Sequence, residues 1–132
     1  MFREIRCLGL VILAAACAAA QSSSPAPQHL ISGANVFIEQ MNGFEDYLAA
    51  AIHAKHVPLV VVTDKDKADF TISGNASGDY RDQHRQRATI KVVNRNGTVV
   101  FAYAFDQDYA IHGKQTAAEA CAKNLKKEIV GH

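Results

Sequence analysis

The sequence of 132 residues has no tryptophan, only three cysteines and almost no excess charge. A formal net charge of +1 excludes both an acidic tail and the surplus of cations that nucleic-acid binding requires. Three cysteines are too few for a disulfide-dense miniprotein. Dinucleotide-binding, phosphate-loop, zinc-protease, C-x-x-C and nucleophile-elbow motifs are all absent. We therefore expect a small single-domain protein that is not an enzyme, has no cofactor and binds no metal.

Residues 1–20 differ in composition from the rest of the chain. Two arginines precede a short apolar run and a stretch of small residues, the pattern of a secretory signal peptide. Cleavage after Ala20 fits the A-x-A rule and would give a periplasmic or secreted protein. Alternatively, residues 1–16 form a lipoprotein signal that precedes an acylated Cys17, which would anchor the protein at the outer membrane. Both alternatives predict export.

The part of the chain that follows the leader divides into two segments. Residues 21–33 are interpreted as a flexible Ser/Pro-rich tether, and residues 34–132 as a single domain. The leader holds two of the 14 basic and one of the 13 acidic residues, so the remainder has no net charge. Cleavage at residue 20 leaves Cys121, which lies on an apolar helix face and is expected to be a buried, unreactive thiol.

The apolar pattern of the domain predicts an α+β fold with the order βαββββα. About five strands would form a mixed or mainly antiparallel sheet, with two helices on one face. Apolar residues at helical spacing in 44–52 predict the first helix, with Asn42 and Glu45 as a capping box. The continuous apolar run at 59–63 predicts a strand that is buried on both faces or lies in the centre of the sheet. Thr116 is expected to cap the last helix.

A β-hairpin is predicted around Asn96-Gly97, a pair that suits a two-residue type I′ turn. This turn places Val92 opposite Phe101. One face of the hairpin then carries the larger side chains, and the sequence leaves open which face meets the helices. The larger side chains are Ile90, Val92, Val99, Phe101, Tyr103 and Phe105.

The segment from Phe44 to Gly74 contains GFEDYLAAAI, VPLVVVTD and KADFTISG. It resembles bacterial envelope modules: the amino-terminal domain of the Tol-system translocation protein, lipoproteins that activate penicillin-binding proteins, and curli-secretion lipoproteins. In these, a helix and a strand precede an "ADY/ADF-apolar-x-G" strand, whose positions here are Ala68, Asp69, Phe70, Ile72 and Gly74. The resemblance implies an α+β domain, an envelope location, protein–protein interaction and no catalytic residues.

A basic segment provides the candidate ligand site. An anionic glycan or phosphate could bind there, although nearby aspartates dilute the charge and a solvated connection between strands is the alternative. The residues are Arg81, His84, Arg85, Arg87 and Lys91.

Two further groups of residues are candidates for metal binding and for hydrolysis. His53 and His56 lie three positions apart on the first helix, but no Cys or carboxylate stands at a spacing that would complete a metal site. A metal loop of Asp79, Asp82 and His84 is equally weakly indicated. A small hydrolase would need Ser73 or Cys121 to meet His84 or His112.

The leading hypothesis is an exported, non-enzymatic envelope protein that acts as a protein-interaction module. An exposed sheet edge or the uncovered sheet face would bind an envelope protein partner. No nucleic acid is expected as a partner, and contact with a membrane is expected only through Cys17.

Overall fold

The computed structural model describes residues 25–79, 85–109 and 111–131. The proposed leader and the candidate lipidation site Cys17 lie outside these residues. The elements follow the order predicted from the sequence. They are β1 (Ala34–Ile38), α1 (Phe44–Ala54), β2 (Leu59–Val62), a 3-10 turn (Lys65–Lys67), β3 (Phe70–Asp79), β4 (Arg85–Asn94), β5 (Val99–Gln107) and α2 (Gly113–Val130).

The five strands form one sheet in the spatial order β2-β1-β3-β4-β5. Strand β1 pairs in parallel with both β2 and β3, while β3, β4 and β5 pair antiparallel. The parallel β1–α1–β2 unit fits a crossover connection, which a parallel pair of strands requires. The predicted α+β fold with a mixed sheet is therefore confirmed.

Both helices contribute to a single core on one face of the sheet. Along β4 every second side chain from Gln86 to Asn94 is buried, and α2 contacts β3, β4 and β5. The half-buried aromatic residues of β5 pack against the same core. The hairpin face that carries Ile90, Val92 and Phe101 is thus the face that meets the helices, which the sequence left open.

Some residues of the predicted tether pack against the domain. Leu30 is buried in the core, and the Asn94 side chain donates a hydrogen bond from Nδ2 to the Pro27 carbonyl at 3.0 Å. The amide of Gly33 donates to the carbonyl of Pro58 at 2.7 Å. Packed structure therefore begins before Ala34, at the end of the sheet where β4 terminates.

The predicted central position of the 59–63 strand is wrong. Strand β2 lies at an edge of the sheet, and Val60 and Val61 are 50% and 40% exposed. An edge strand has a neighbour on one side only, so apolar side chains on it lose less contact with water than they would in the centre. A continuous apolar run does not distinguish the two positions.

The predicted type I′ turn is also wrong. Of the two central residues, only Gly97 has a positive φ, of 80°, whereas a type I′ turn requires both. The amide of Asn94 instead donates to the carbonyl of Thr98 at 2.9 Å, which leaves a three-residue loop of 95–97. The side chain of Asn94 stabilises this loop, because its Oδ1 accepts hydrogen bonds from the amides of Asn96 and Thr98 at 3.0 Å each.

A second irregularity in the hairpin compensates for the longer loop. The register shifts between Val92 and Val93, so Val92 still lies opposite Phe101, as predicted. Val99 lies opposite Val93 and is 53% exposed. It therefore does not share a face with Val92 and Phe101, with which the sequence grouped it.

The helix starts differ from the predicted capping boxes. Helix α1 has no side-chain cap, but Oε2 of Glu45 accepts hydrogen bonds from the amides of Met41 and Gly43 at 2.7 and 2.9 Å. These bonds supply the carboxylate half of a capping box and hold the pKa of Glu45 below its usual value. Helix α2 begins at Gly113, so Thr116 lies in its first turn instead of capping it.

Across the described part of the chain, neither helix has the length and apolar character needed to cross a bilayer.

Candidate functional site

The edge strand β2 presents valine on both faces of the sheet. Val61 pairs with the buried Val36, and Val60 pairs with Asn35. Because paired residues of parallel strands point to the same face, Val61 faces the helical layer and Val60 faces the uncovered side. Among the residues that the structure describes, no strand pairs with β2 on the side away from β1. The main chain of β2 is therefore available to a further strand along that side.

A groove lies between α1 and this edge. Its volume is about 470 Å³, and its exposed lining is more polar than apolar although most of the lining residues are apolar in type. The groove gives an added strand a place for side chains on the helical side of the sheet. The lining residues are Ala49, Ile52, His53, His56, Val57, Leu59 and Val61.

The short connection from α1 into β2 positions both walls of the groove. The amide of Val57 donates to the carbonyl of Ile52 at 3.0 Å, and His56 takes a left-handed φ of 53°. Pro58 then disfavours helical backbone at the preceding residue, so the helix cannot continue. The chain therefore enters β2 directly beside the last turn of α1.

The opposite edge, β5, is less suited to strand addition. Its ladder with β4 is interrupted by the register shift at Val92/Val93, and irregularities of this kind bend a strand. Its carboxyl end carries Asp106, followed by Asp108, and charged side chains discourage pairing with another chain. Strand β2 has only apolar side chains over its whole length.

The structure brings three residues of the predicted anion site together on the uncovered face of β4. Arg85, Arg87 and Lys91 alternate with the buried residues of the strand and so point away from the helices. Arg81 and His84 lie outside the described residues.

The two arginines of this group contact a carboxylate that the sequence analysis did not single out. Arg85 donates from Nε and Nη2 to Asp106 at 2.8 and 2.6 Å, and Nε of Arg87 lies 3.6 Å from the same carboxylate. The hydrogen bonds from Arg85 lower the pKa of Asp106 below its usual value. Asp108 lies 3.5 Å from Arg85. The predicted pairing of Val92 with Phe101, continued along both strands, places Arg87 opposite Asp106 and could have revealed this contact.

His53 and His56 both line the groove beside β2 and are exposed. Within residues 25–79, 85–109 and 111–131, no group of three or more potential ligands is arranged to hold a metal ion. Asp82 and His84 of the other candidate metal loop lie outside the described residues. The two histidines therefore form part of the groove wall.

No protein-family model matches the sequence, and a comparison with curated proteins found no match. Matches among solved structures include two bacterial lipoproteins. The solution structure of uncharacterized lipoprotein B from Nitrosomonas europaea has a TM-score of 0.54 and 10% identity, with 76% of this chain and 86% of that chain covered. A minor lipoprotein from Acinetobacter baumannii has a TM-score of 0.41 and 10% identity, with 77% and 94% covered.

At this identity the likeness to lipoprotein B concerns the fold alone. It agrees with the α+β architecture that the resemblance to envelope lipoproteins implied. The more specific likenesses to the Tol-system, penicillin-binding-protein-activator and curli-secretion proteins stay predictions.

Among the described residues, the candidate nucleophiles of a hydrolase do not form a pair with His112. Cys121 is fully buried in the core under α2, and burial raises the pKa of its thiol to about 12. The thiol is therefore protonated at neutral pH and is not a nucleophile. Ser73 lies opposite Lys91 on the uncovered face of the sheet, whereas His112 immediately precedes α2 on the helical side. His84 lies outside the described residues.

Proposed function

We propose that the protein is an exported, non-enzymatic module of the bacterial envelope that binds an extended segment of a protein partner along β2. The leader-like residues 1–20 support export, and the likeness in fold to a bacterial lipoprotein agrees with an envelope location. The absence of catalytic motifs from the sequence and the inert state of Cys121 favour binding over catalysis.

The exposed apolar edge of β2 is the observation that carries this proposal. An added strand would form main-chain hydrogen bonds with β2, and alternate side chains would enter the groove beside α1. It would also cover Val60 and Val61, two adjacent valines that are 50% and 40% exposed. Strand addition therefore satisfies the polar main chain and removes apolar surface from water in one step.

An anionic glycan or phosphate site on β4 is the weaker alternative. The carboxylate of Asp106 already accepts two hydrogen bonds from Arg85 and lies close to Arg87. A bound anion would have to displace this carboxylate, and Lys91 alone would remain uncompensated among the described candidates. The described part of the basic segment therefore favours a solvated, internally paired surface.

Export makes a direct prediction for the mature amino terminus. Mass spectrometry of the protein from envelope and medium fractions should find either a free Gln21 or a diacylglyceryl-modified Cys17. The first result gives a periplasmic or secreted protein, and the second gives an outer-membrane lipoprotein. Protein that starts at Met1 and stays in the cytoplasm would contradict the envelope location.

Binding at β2 is tested by site-specific photo-cross-linking in cells that export the full chain. A benzophenone amino acid at position 60 should give protein adducts, because a bound strand would lie against this side chain. The matched control is position 99, since Val99 is 53% exposed and Val60 is 50% exposed. Adducts that are absent at 60, or equally abundant at 60 and 99, would overturn the proposed use of this edge.

A further inference from the structure

We propose that the last turns of α2 form a contact surface for the headgroups of an anionic lipid bilayer. The surface is built around a lysine cluster of three exposed residues, Lys123, Lys126 and Lys127. This goes beyond strand binding at β2. It extends membrane contact from a lipid at Cys17 to the folded domain itself.

The lysine cluster lies on the outward side of α2. Residues three and four apart are neighbours on a helix surface, and Lys123 precedes Lys126 by three residues and Lys127 by four. The buried residues of α2, such as Cys121 and Leu125, lie on the side that faces the core. The three ammonium groups therefore share a surface that extends over little more than one helical turn.

The charge of the lysine cluster is largely uncompensated. Among the ion pairs of the described residues, none includes a lysine of the cluster. Helix α2 contains two acidic residues, and both are turned elsewhere. Glu119 lies 3.7 Å from Lys55, and Glu128 follows the buried Cys121 by seven residues, which places it on the inner side of the helix. The dipole of α2 contributes only about half a negative charge at this end.

The lysine cluster lies at the end of the domain where the amino-terminal segment enters. Nζ of Lys126 donates a hydrogen bond to the carbonyl of Lys55, the residue after α1, at 3.1 Å. The chain continues from there to Pro58, whose carbonyl accepts the hydrogen bond from the amide of Gly33. A lipid attached at Cys17 would therefore hold the domain to a membrane from the same end as the lysine cluster.

Acidic residues of the helical layer lie at the opposite end. The first turn of α1 carries Glu45 and Asp46, and α1 connects the end of β1 with the start of the parallel strand β2. Lys114, in the first turn of α2, offsets one of these two charges. A negatively charged surface attracts the lysine end of the layer and repels the acidic end, which would orient the domain.

An exposed apolar residue beside the lysines favours a bilayer as the occupant. Val130 follows Lys126 by four residues and Lys127 by three, and it is 69% exposed. Lysine beside an exposed apolar side chain fits the boundary between lipid headgroups and acyl chains, where each meets its own kind of partner. This composition and the entry of the amino-terminal segment at the same end both point to a membrane surface.

Vesicle binding measures the contribution of the lysine cluster. Protein purified after export should bind vesicles of equal parts phosphatidylcholine and phosphatidylglycerol, and added salt should weaken the binding. Lys123→Gln combined with Lys127→Gln should lower the binding constant about 25-fold, since each lysine near an anionic membrane contributes about fivefold. Glutamine has nearly the same helix propensity as lysine, so the helix should be unaffected.

The matched control removes the same charge from the opposite end of the domain. Lys65 contacts Glu39, which follows β1, and Lys114 lies in the first turn of α2. Lys65→Gln combined with Lys114→Gln should change the binding constant less than about twofold, because the attraction falls off within a Debye length of the membrane. Equal losses in the two double variants, or equal binding to vesicles of phosphatidylcholine alone, would overturn the proposal.

A fluorophore at position 130 reports the contact even if an acylated protein stays on every vesicle. An environment-sensitive label on Val130→Cys should shift its emission to the blue on phosphatidylglycerol vesicles, and Lys123→Gln with Lys127→Gln should abolish the shift. The control is Ile111→Cys, at a 92% exposed position before α2, and the buried Cys121 does not compete for the label. No shift at 130, or equal shifts at 130 and 111, would contradict contact through α2.

An acidic protein is the other occupant that the test distinguishes. Soluble polyglutamate should leave the emission at position 130 unchanged, because this polymer has no apolar layer. A shift as large as that on vesicles would indicate an acidic protein as the partner and would overturn the bilayer. The cross-link at position 60 reports on β2 separately, so the proposed function stands or falls without this surface.

Discussion

Substitution of Gly74 by alanine is expected to lower the free energy of unfolding by about 3 kcal/mol or more, through a clash between backbones. A Cβ atom at this position would enter the space of the Thr89 carbonyl oxygen and lie 3.0 Å from the Cα of Ile90. Both atoms belong to β4, the partner of β3 in the centre of the sheet. Relief of the clash therefore requires a shift of one strand against the other. Urea denaturation of the purified variant, compared at an unchanged m-value, measures the loss.

Gly78→Ala is the matched control on the same strand. Its Cβ would lie 3.0 Å from Oε1 of Gln86, a side-chain atom that has to give way by only a few tenths of an ångström, although Nε2 of Gln86 donates to the carbonyls of Ser77 and Arg87. We expect a change of less than about 1 kcal/mol, typical of a substitution without a fixed obstacle. Equal losses at both glycines would show that the close approach of β3 and β4 at Gly74 is not the cause. The segment from Ala68 to Gly74 thus ends in a glycine that the close approach of β3 and β4 requires.

Phe44→Ala is expected to cost about 3–5 kcal/mol, the usual loss when a large aromatic side chain leaves a cavity in a core. Phe44 is fully buried at the first residue of α1 and is among the largest side chains of the core. For a domain of about 100 residues, a loss of this size should lower the melting temperature by at least about 10 °C. Thermal denaturation followed by circular dichroism tests this expectation.

The control for this core substitution lies one turn further along the same helix. Tyr47 is 45% exposed, and Tyr47→Ala should lower the free energy of unfolding by about 1 kcal/mol or less. Both substitutions replace an aromatic residue by alanine in α1, so any difference in helix propensity is small. Similar losses in the two variants would contradict the assignment of Phe44 to the core.

Local patterns were sufficient to predict the elements and their order. In α1, the predicted apolar stripe is confirmed at Phe44, Leu48, Ala51 and Ile52, which are buried. Tyr47 belongs to the same stripe by spacing but lies at its margin, half-exposed. Helical periodicity indicates which side of a helix faces inward, whereas the width of the buried side depends on what packs against it.

The position of β2 depended on pairings between residues that are distant in sequence. Strand β1 takes its place between β2 and β3, and this leaves the LVVV run at the edge. The same four residues would suit a central strand, so no local feature could decide between the two. The sequence therefore predicted an exposed edge as a docking surface without indicating which strand forms it.

The hairpin shows how one side chain changes a local prediction. The Asn96-Gly97 pair favours a two-residue turn, but Oδ1 of Asn94 accepts two amide hydrogen bonds that a three-residue loop provides. The predicted pairing of Val92 with Phe101 held because the later register shift restores the alignment. The contact between Arg87 and Asp106 follows from this pairing, so the partial compensation of Arg87 was accessible from the sequence.

The bond between Asn94 and Pro27 has a consequence for the distance between the domain and a membrane. It places the amino-terminal segment at the end of the sheet where β4 terminates and where β1 and β2 begin. The chain advances ten residues from Cys17 to Pro27, and an extended chain of that length spans at most about 35 Å. If Cys17 is acylated, this end of the sheet therefore lies no more than about 35 Å from the membrane surface, whichever way the sheet points.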